Sequence, residues 1–138
     1  VTRDRVVPPN PNVTIHNGLS PNDPELLRLY QQAHVFALPT RGDCYSLAGI
    51  EAMATGLPVI LSRTGGTGDI IKDGETGYLI GAGDGKALWE RLDTLIENPK
   101  QRIAMGCAAR QDAENRYDAS KNVLKTVQVM RERLGAER

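Results

Sequence analysis

Aromatic side chains are scarce in this 138-residue chain, and neither sign of charge is in excess. Only 4% of the residues are aromatic, which argues against the stacking platforms that bind single-stranded nucleic acid. The 17 basic and 17 acidic side chains give a formal net charge of zero. Proteins that bind nucleic acid or anionic membranes through general electrostatics usually carry a basic excess. The composition therefore argues against nucleic acid as a partner.

The chain also has few cysteines and no long apolar run. Cys44 and Cys107 lack C-x-x-C spacing and a nearby histidine pair, so we expect reduced thiols in a cytoplasmic protein and no metal site. No apolar stretch approaches the roughly 18 to 20 residues that cross a bilayer. Residues 1–11 are charged and proline-rich, unlike a signal peptide. Because the sequence begins with Val1, we interpret it as a piece of a longer protein, in which any membrane association would come from the missing parts.

What the chain does have is a series of short apolar runs that alternate with helical spacing. We expect a proline-rich, irregular lead-in at residues 1–12 and one domain at residues 13–138. Strands are predicted at 13–16, 34–38, 58–61 and 77–80, the second of them covered on both faces. Strands that alternate with helices favour an α/β fold with a parallel sheet. Four strands are few for such a sheet, so its first strands are expected to be missing.

Helices are predicted between and after these strands. Asp23 followed by Pro24 is typical of a helix start. A central helix should run from about Ser46 to Thr55, and Gly56 suits the left-handed position just behind a helix end. The side chains expected to be buried are Leu47, Ile50, Met53, Ala54 and Leu57 around the central helix, and Val123, Val127, Met130 and Leu134 in the last helix.

Residues 41–66 combine a loop, this central helix, a buried strand and a glycine-rich loop. In parallel sheets such a unit places ligands at the carboxyl ends of the strands. The first amides of a helix have no partner within it, and together with the helix dipole they favour an anion at the helix tip. Asp43 lies in the loop before the helix, and Glu51 lies about 7 Å further along the helix axis. An elongated ligand could therefore place an anion at the tip and reach one carboxylate at each end.

Four short motifs follow one another through this region and beyond it. Asp43 is followed after seven residues by Glu51; A-M-A-x-G-x-P-V-I occupies 52–60, G-G-x-x-acid occupies 65–69, and D-G-x-x-G-x-L occupies 73–79. This order resembles the C-terminal domain of retaining GT-B glycosyltransferases, the large glycosyl transferases group 1 class. The similarity runs from about Val13 to Leu134. The glutamate followed by A-M-A-x-G-x-P is fairly specific, whereas two acids at this spacing alone would not be.

The resemblance implies a Rossmann-like parallel sheet with flanking helices, the C-terminal half of a GT-B fold. It also implies roles for the two acids. Glu51 corresponds to the residue that binds the ribose hydroxyls of the donor nucleotide. Asp43 corresponds to the acid that contacts the donor sugar, and it is the candidate catalytic residue.

Further substrate contacts implied by the resemblance belong to the helix tip and the two loops. The backbone amides of Ser46 and Leu47 correspond to those that hold the diphosphate. Tyr45 takes the place of an aromatic residue in the family's loop. Gly65 and Gly66 either line the nucleotide site or only permit a bend in the chain.

The loop before the central helix departs from the family pattern. Asp43 is one methylene shorter than the usual glutamate. Cys44 and Ser46 replace glycines, which restricts the backbone where it must approach the phosphates. The Ser46 hydroxyl either donates to a phosphate oxygen or caps the helix. The family's basic clamp is not visible upstream, and Arg41 either approaches the diphosphate or lies in solvent.

The function implied is donor binding in an enzyme that transfers a sugar, with retention, from a nucleotide-sugar to an acceptor. No metal and no cofactor are expected. The acceptor, sugar-bearing or otherwise, would be recognised mainly by a missing N-terminal domain, so the fragment alone should be inactive. An alternative is a non-catalytic nucleotide-binding or interaction module of the same fold, which the departures at Cys44 and Ser46 favour. A phosphorylase-like enzyme with a pyridoxal cofactor is disfavoured because no lysine lies in a matching context.

Overall fold

A computed structural model describes residues 10–135, so most of the predicted lead-in lies outside the described residues. The described chain divides into two compact units between Ala33 and His34. The predicted α/β class, with a parallel sheet and flanking helices, is confirmed. In chain order the elements are α1 (Pro24–Gln32), β1 (Phe36–Leu38), α2 (Leu47–Ala54), β2 (Val59–Ser62), α3 (Thr67–Ile70), β3 (Gly77–Ile80), α4 (Gly85–Glu97), α5 (Pro99–Arg116) and α6 (Ala119–Gly135).

The first unit contains α1, which starts where the sequence predicts. The Asp23 carboxylate accepts a hydrogen bond from the Glu25 amide at 2.9 Å, and Pro24 occupies the first turn. The strand predicted at 13–16 is wrong, because no strand forms there. β-Branched residues favour a strand when a partner strand and a core cover them, and none of these four residues is buried.

The second unit contains a parallel sheet with the strand order β1-β2-β3. Phe36 is in register with Val59 on β2, and Val59 is in register with Gly77 on β3. All four residues of β2 are buried, as expected for a central parallel strand. The prediction that β1 is covered on both faces is wrong, because Ala37 is exposed and neither Phe36 nor Leu38 is fully buried.

Helix α2 lies very close to β2, and this contact decides which of its residues are buried. A Cβ atom added to Gly49 would lie 3.1 Å from a methyl group of Leu61. The buried residues of α2 are accordingly Gly49, Ala52 and Met53, whereas Leu47 is 68% exposed. The predicted apolar stripe is therefore wrong for Leu47 and for the exposed Ala54 and confirmed for Met53. Small residues fill this face because the backbones approach closely, which a count of apolar residues does not reveal.

The end of α2 is fixed by a glycine and packs against another glycine on α5. Gly56 has φ +86°, the left-handed conformation predicted for the residue behind the helix. A Cβ atom added to Gly106 would lie only 2.2 Å from the Gly56 carbonyl oxygen. Helix α5 can therefore lie against the end of α2 only because position 106 has no side chain.

The hydrophobic core of the second unit lies between the sheet and helices α4 and α5. Tyr78 is 6% exposed in this core, and its hydroxyl accepts a hydrogen bond from the Gln101 side chain at 2.9 Å. The buried members of the core are Ile60, Tyr78, Ile80, Leu95 and Met105, with the partly buried Val35, Ala87, Leu88 and Leu92 packed against them.

Helix α6 contains none of the buried residues of the described chain. The prediction that Val123, Val127, Met130 and Leu134 form a buried stripe is wrong, because these side chains are 39% to 69% exposed. Helical spacing identifies an apolar face but does not supply a surface to cover it. No helix within residues 10–135 is both long and apolar enough to cross a membrane.

Asp112 on α5 is a buried carboxylate, with 7% of its surface exposed. It accepts hydrogen bonds from Lys72 Nζ at 2.7 Å and from Arg116 Nη1 at 2.8 Å. Burial by itself would raise the pKa of Asp112, but the hydrogen bonds from the two cations outweigh burial and hold the pKa below its ordinary value. The ionised carboxylate thus joins α5 to the segment that follows α3.

We expect Asp112→Asn to lower the free energy of unfolding by about 1–3 kcal/mol at neutral pH, because two charge-assisted hydrogen bonds are lost. Since the folded-state pKa of Asp112 is depressed, its contribution is present above the ordinary value of 3.8 and is lost as the pH falls through the folded-state pKa. Urea unfolding between pH 3 and 7 should therefore show the two proteins converging at acidic pH. Asp93→Asn, at an exposed position on α4, is the control, and a gap that widens on acidification would contradict this account.

We expect Gly106→Ala to destabilise the fold by about 1–3 kcal/mol, because the new methyl group would collide with the Gly56 carbonyl. In an ordinary helix the same change stabilises by about 1 kcal/mol, so the sign of the effect is informative. Gly85→Ala at the start of α4, where nothing lies within 4 Å of the added Cβ, is the matched control. Equal unfolding midpoints in urea for the two variants would contradict the close approach of α5 to α2.

Candidate functional site

The carboxyl ends of β1 and β2 lie at one edge of the sheet, because these strands are parallel neighbours. Residues 39–46 connect β1 to α2, and residues 63–66 connect β2 to α3. We name these segments the acidic loop and the glycine loop. They are in direct contact, since the Gly66 amide donates a hydrogen bond to the Cys44 carbonyl at 2.8 Å. The two loops together form one surface next to the start of α2.

The glycines of the glycine loop are what allow this contact. Gly65 has φ +48°, and an added Cβ atom would lie 2.4 Å from the Asp43 carbonyl oxygen and 2.7 Å from that of Cys44. A Cβ atom at Gly66 would lie 2.9 Å from the ring of Tyr45. Both glycines therefore permit a close approach of two backbones. That they line a nucleotide site stays a prediction.

Asp43 is half-buried and uses one carboxylate oxygen to shape the acidic loop. Its Oδ1 accepts a hydrogen bond from the Tyr45 amide at 3.1 Å. This bond to the backbone two residues ahead is an Asx-turn, which holds a loop in a defined conformation. The turn fixes where the carboxyl group lies relative to the start of α2. Its contact with a donor sugar stays a prediction.

Ser46 is the N-cap of α2. Its hydroxyl oxygen accepts a hydrogen bond from the Gly49 amide at 3.3 Å, and the residue is only 2% exposed. Of the two alternatives for this hydroxyl, the structure therefore shows capping. The next residue, Leu47, begins the helix and is 68% exposed, so the tip of α2 lies at the surface. Diphosphate binding by the amides of Ser46 and Leu47 stays a prediction.

Glu51 is exposed on α2 and lines an open cleft of about 280 Å³ between α2 and the end of α5. The floor of the cleft is largely apolar, with carboxylates at its margin. It is lined by Ile50, Glu51, Ala54, Ala113, Glu114, Tyr117 and Asp118. Glu51 is thus exposed to solvent and lies at a concave surface. Ribose binding by Glu51 stays a prediction.

Tyr117 connects this cleft to the acidic loop. Its hydroxyl accepts a hydrogen bond from the Tyr45 hydroxyl at 3.2 Å, although the two residues are 72 positions apart. Burial raises the pKa of Tyr117, and the hydrogen bond with Tyr45 raises it further, so the phenol stays protonated at neutral pH. The sequence gives no local signal for this pair, because no motif or spacing relates a loop residue to the end of a distant helix.

Arg116, the last residue of α5, contacts the segment that follows the glycine loop. Its guanidinium donates to the Ile70 carbonyl at 3.3 Å and to the Asp69 carbonyl. The same group lies over the Tyr117 ring at 5.0 Å from the centroid, within the range of a cation–π contact. Tyr117 therefore holds the acidic loop and Arg116 holds the end of α3, a second relationship that the sequence did not indicate.

Two further arginines follow strands at this edge of the sheet. Arg41 lies in the acidic loop and Arg63 at the start of the glycine loop, and both are exposed. Cys44 and Cys107 are exposed free thiols, in keeping with the sequence prediction. Within residues 10–135, no three side chains of His, Cys, Asp or Glu are grouped so that they could hold a metal ion.

Comparison with known proteins places this geometry in a family context. The family model described as glycosyl transferases group 1 matches residues 8–112. The D-inositol 3-phosphate glycosyltransferase of Corynebacterium efficiens is 39% identical over 99 residues, which are 70% of this chain and 23% of that protein. The sulfoquinovosyl transferase of Arabidopsis thaliana is 38% identical over 97 residues, which are 68% of this chain and 19% of that protein. The chain thus spans roughly a fifth to a quarter of the length of these curated relatives.

Solved structures show the same architecture. Sucrose-phosphate synthase from Thermosynechococcus elongatus matches with a TM-score of 0.74 and 28% identity, over 81% of this chain and 28% of that one. Anabaena HepE, solved in complex with UDP-glucose, matches with a TM-score of 0.70 and 23% identity, over 83% of this chain and 30% of that one. The match of the family model to residues 8–112, together with relatives up to 39% identical, shows that this chain belongs to the glycosyl transferases group 1 family.

Proposed function

We propose that this chain is the donor-binding domain of a retaining glycosyltransferase, with a nucleotide-sugar bound at the carboxyl edge of the sheet. The observation that carries the proposal is the contact between the acidic loop and the glycine loop beside the exposed tip of α2. Carboxyl edges of parallel strands and helix N-termini are where α/β proteins bind phosphorylated ligands. The structural neighbour HepE was solved with UDP-glucose, which makes UDP-sugars the first donors to test.

The proposed mechanism is electrostatic. Negative charge grows on the leaving diphosphate as the glycosidic bond breaks. Amides of Ser46 and Leu47 that point at this charge stabilise the transition state more than the bound substrate, which raises the rate. The exposed Arg41 and Arg63 at the same edge add positive potential. In this proposal the charge is met by amides and arginines, without a metal ion or a cofactor.

The remaining groups orient the donor along the surface of α2. Glu51, at the cleft, accepts hydrogen bonds from the ribose hydroxyls, since a carboxylate accepts from two neighbouring hydroxyl groups. Asp43 contacts the sugar, and the Tyr45 ring forms the wall of the acidic loop. Gly65 and Gly66 keep the glycine loop close enough to complete the pocket.

Catalysis in this proposal needs a second, N-terminal domain that binds the acceptor. The relatives support this, because the chain matches only 23% of the length of the corynebacterial enzyme. The 138-residue chain should then bind nucleotide-sugars weakly and transfer no sugar by itself. A cytoplasmic location stays a prediction.

One observation favours a second candidate, a module that binds nucleotide-sugars without catalysis. The Asp43 carboxylate already accepts the Tyr45 amide, so the group assigned to the sugar is partly engaged within the loop. The two candidates differ in turnover and not in binding. An assay of the intact protein with UDP-, GDP- and ADP-sugars distinguishes them.

We expect Glu51→Ala to weaken binding of UDP-glucose to this chain by about tenfold or more, because hydrogen bonds to a charged group are lost. The dissociation constant is measured by NMR titration of the 138-residue chain. Glu97→Ala, at an exposed position at the end of α4, is the matched control and should bind like the wild type. Unchanged affinity in Glu51→Ala would sink the ribose assignment.

We expect Asp43→Asn to lower the turnover of the intact enzyme by about tenfold or more, because the charge near the sugar is removed. The asparagine oxygen can still accept the Tyr45 amide, so the loop should keep its shape. The measurement is kcat with the cognate nucleotide-sugar, with Asp93→Asn as the matched control. Unchanged or higher turnover in Asp43→Asn would contradict the proposed role.

A further inference from the structure

The end of α5 contacts the acidic loop and α3, the short helix that follows the glycine loop. The Tyr117 hydroxyl accepts a hydrogen bond from the Tyr45 hydroxyl. The Tyr45 ring lies against Gly66. The Tyr45 ring is therefore held between the glycine loop on one side and the end of α5 on the other. This arrangement fixes the acidic loop at the residue two positions after Asp43.

The adjacent residue holds α3 instead of a loop. Arg116 donates to the carbonyls of Asp69 and Ile70, which lie at the end of the short helix that follows the glycine loop. Asp112 orients this guanidinium through a hydrogen bond of 2.8 Å, and Asp112 is itself buried. A hydrogen bond to a buried carboxylate, together with hydrogen bonds to two carbonyls, keeps a guanidinium in one orientation.

We propose that Arg116 and Tyr117 are positioning residues for donor binding. Tyr117 holds the acidic loop through Tyr45, and Arg116 holds α3 and thereby the glycine loop that leads into it. This inference rests on the proposed function and adds two residues to it. Neither residue needs to touch the diphosphate, because Tyr117 acts through Tyr45 and Arg116 acts through the end of α3. Loops that are ordered before the ligand arrives lose less conformational entropy on binding, which improves affinity and the alignment of the reacting groups.

The contact between the loops offers a readout that needs no ligand. The Gly66 amide donates to the Cys44 carbonyl between the two anchors, so its hydrogen exchange reports how firmly the loops are held. We expect Tyr117→Phe to speed exchange of the Gly66 amide by about threefold to tenfold, the equivalent of one lost hydrogen bond. Tyr78→Phe loses a comparable side-chain bond, to Gln101, and is the matched control in which the Gly66 rate should not change.

A second variant tests the other anchor. Arg116→Lys keeps the positive charge beside Asp112, but one ammonium group cannot reproduce the planar fork that contacts Asp112 and the two carbonyls together. Exchange of the Ile71 amide, which donates to Thr67 at 3.3 Å, should be faster in this variant, with the unfolding midpoint in urea little changed. Wild-type exchange at both Gly66 and Ile71 in the two variants would overturn the inference.

A double-mutant cycle tests whether Tyr117 acts through Tyr45. Tyr45→Phe and Tyr117→Phe remove the same hydrogen bond, so each should weaken UDP-glucose binding by about threefold to tenfold and the double variant should be no worse than either alone. Effects that simply add would overturn a positioning role exerted through Tyr45.

The two readouts separate the failure of this inference from the failure of the proposed function. If the wild-type chain binds none of the UDP-, GDP- and ADP-sugars, donor binding by this chain is refuted, and so is positioning for donor binding. If the wild type binds but Gly66 exchange and affinity are the same in Tyr117→Phe, donor binding stands and the positioning role is refuted. Binding with faster exchange and weaker affinity in Tyr117→Phe supports both.

Discussion

The structure depends on backbones that approach one another more closely than side chains allow. Gly49 lets α2 lie on β2, Gly106 lets α5 lie against the end of α2, and Gly65 lets the glycine loop touch the acidic loop. Each contact sets the position of the next, because α2 is packed against β2 on one side and α5 on the other. The orientation of the candidate donor site follows from these steric contacts together with the burial of Ala52 and Met53 on the same helix.

The sequence predicted the features that depend on neighbours along the chain. The cap of α1 and the left-handed Gly56 were predicted correctly, since each follows from residues within a few positions. For Ser46 the sequence left capping and phosphate binding open, and the structure shows the cap of α2. The buried face of α2 was not, because it depends on the distance to β2. The apolar residues of α6 are spaced as a helix requires, but within the described chain no other element buries them. For the site, the sequence indicated the loops and the helix tip, but not Arg116 and Tyr117, whose contacts arise only from the fold.

Three carboxylates of the second unit have different surroundings. Asp112 is buried and fully engaged with Lys72 and Arg116, so it supports the fold. Glu51 is exposed and Asp43 half-buried, at a cleft and a loop where a ligand can reach them. The buried carboxylate therefore stabilises the fold, whereas the two candidate ligand-binding carboxylates remain accessible to solvent. Arg116 takes part in the support while contacting the backbone of α3, which follows the glycine loop.

The backbone and the side chain of Cys44 have different surroundings. Its carbonyl joins the acidic loop to the glycine loop, whereas its thiol is exposed to solvent. The side chain can therefore be modified without touching the bond that its backbone makes. With Cys107 replaced by serine, position 44 becomes an attachment point for a fluorophore. Such a dye would lie at the junction of the two loops, so its fluorescence would test whether a nucleotide-sugar binds there.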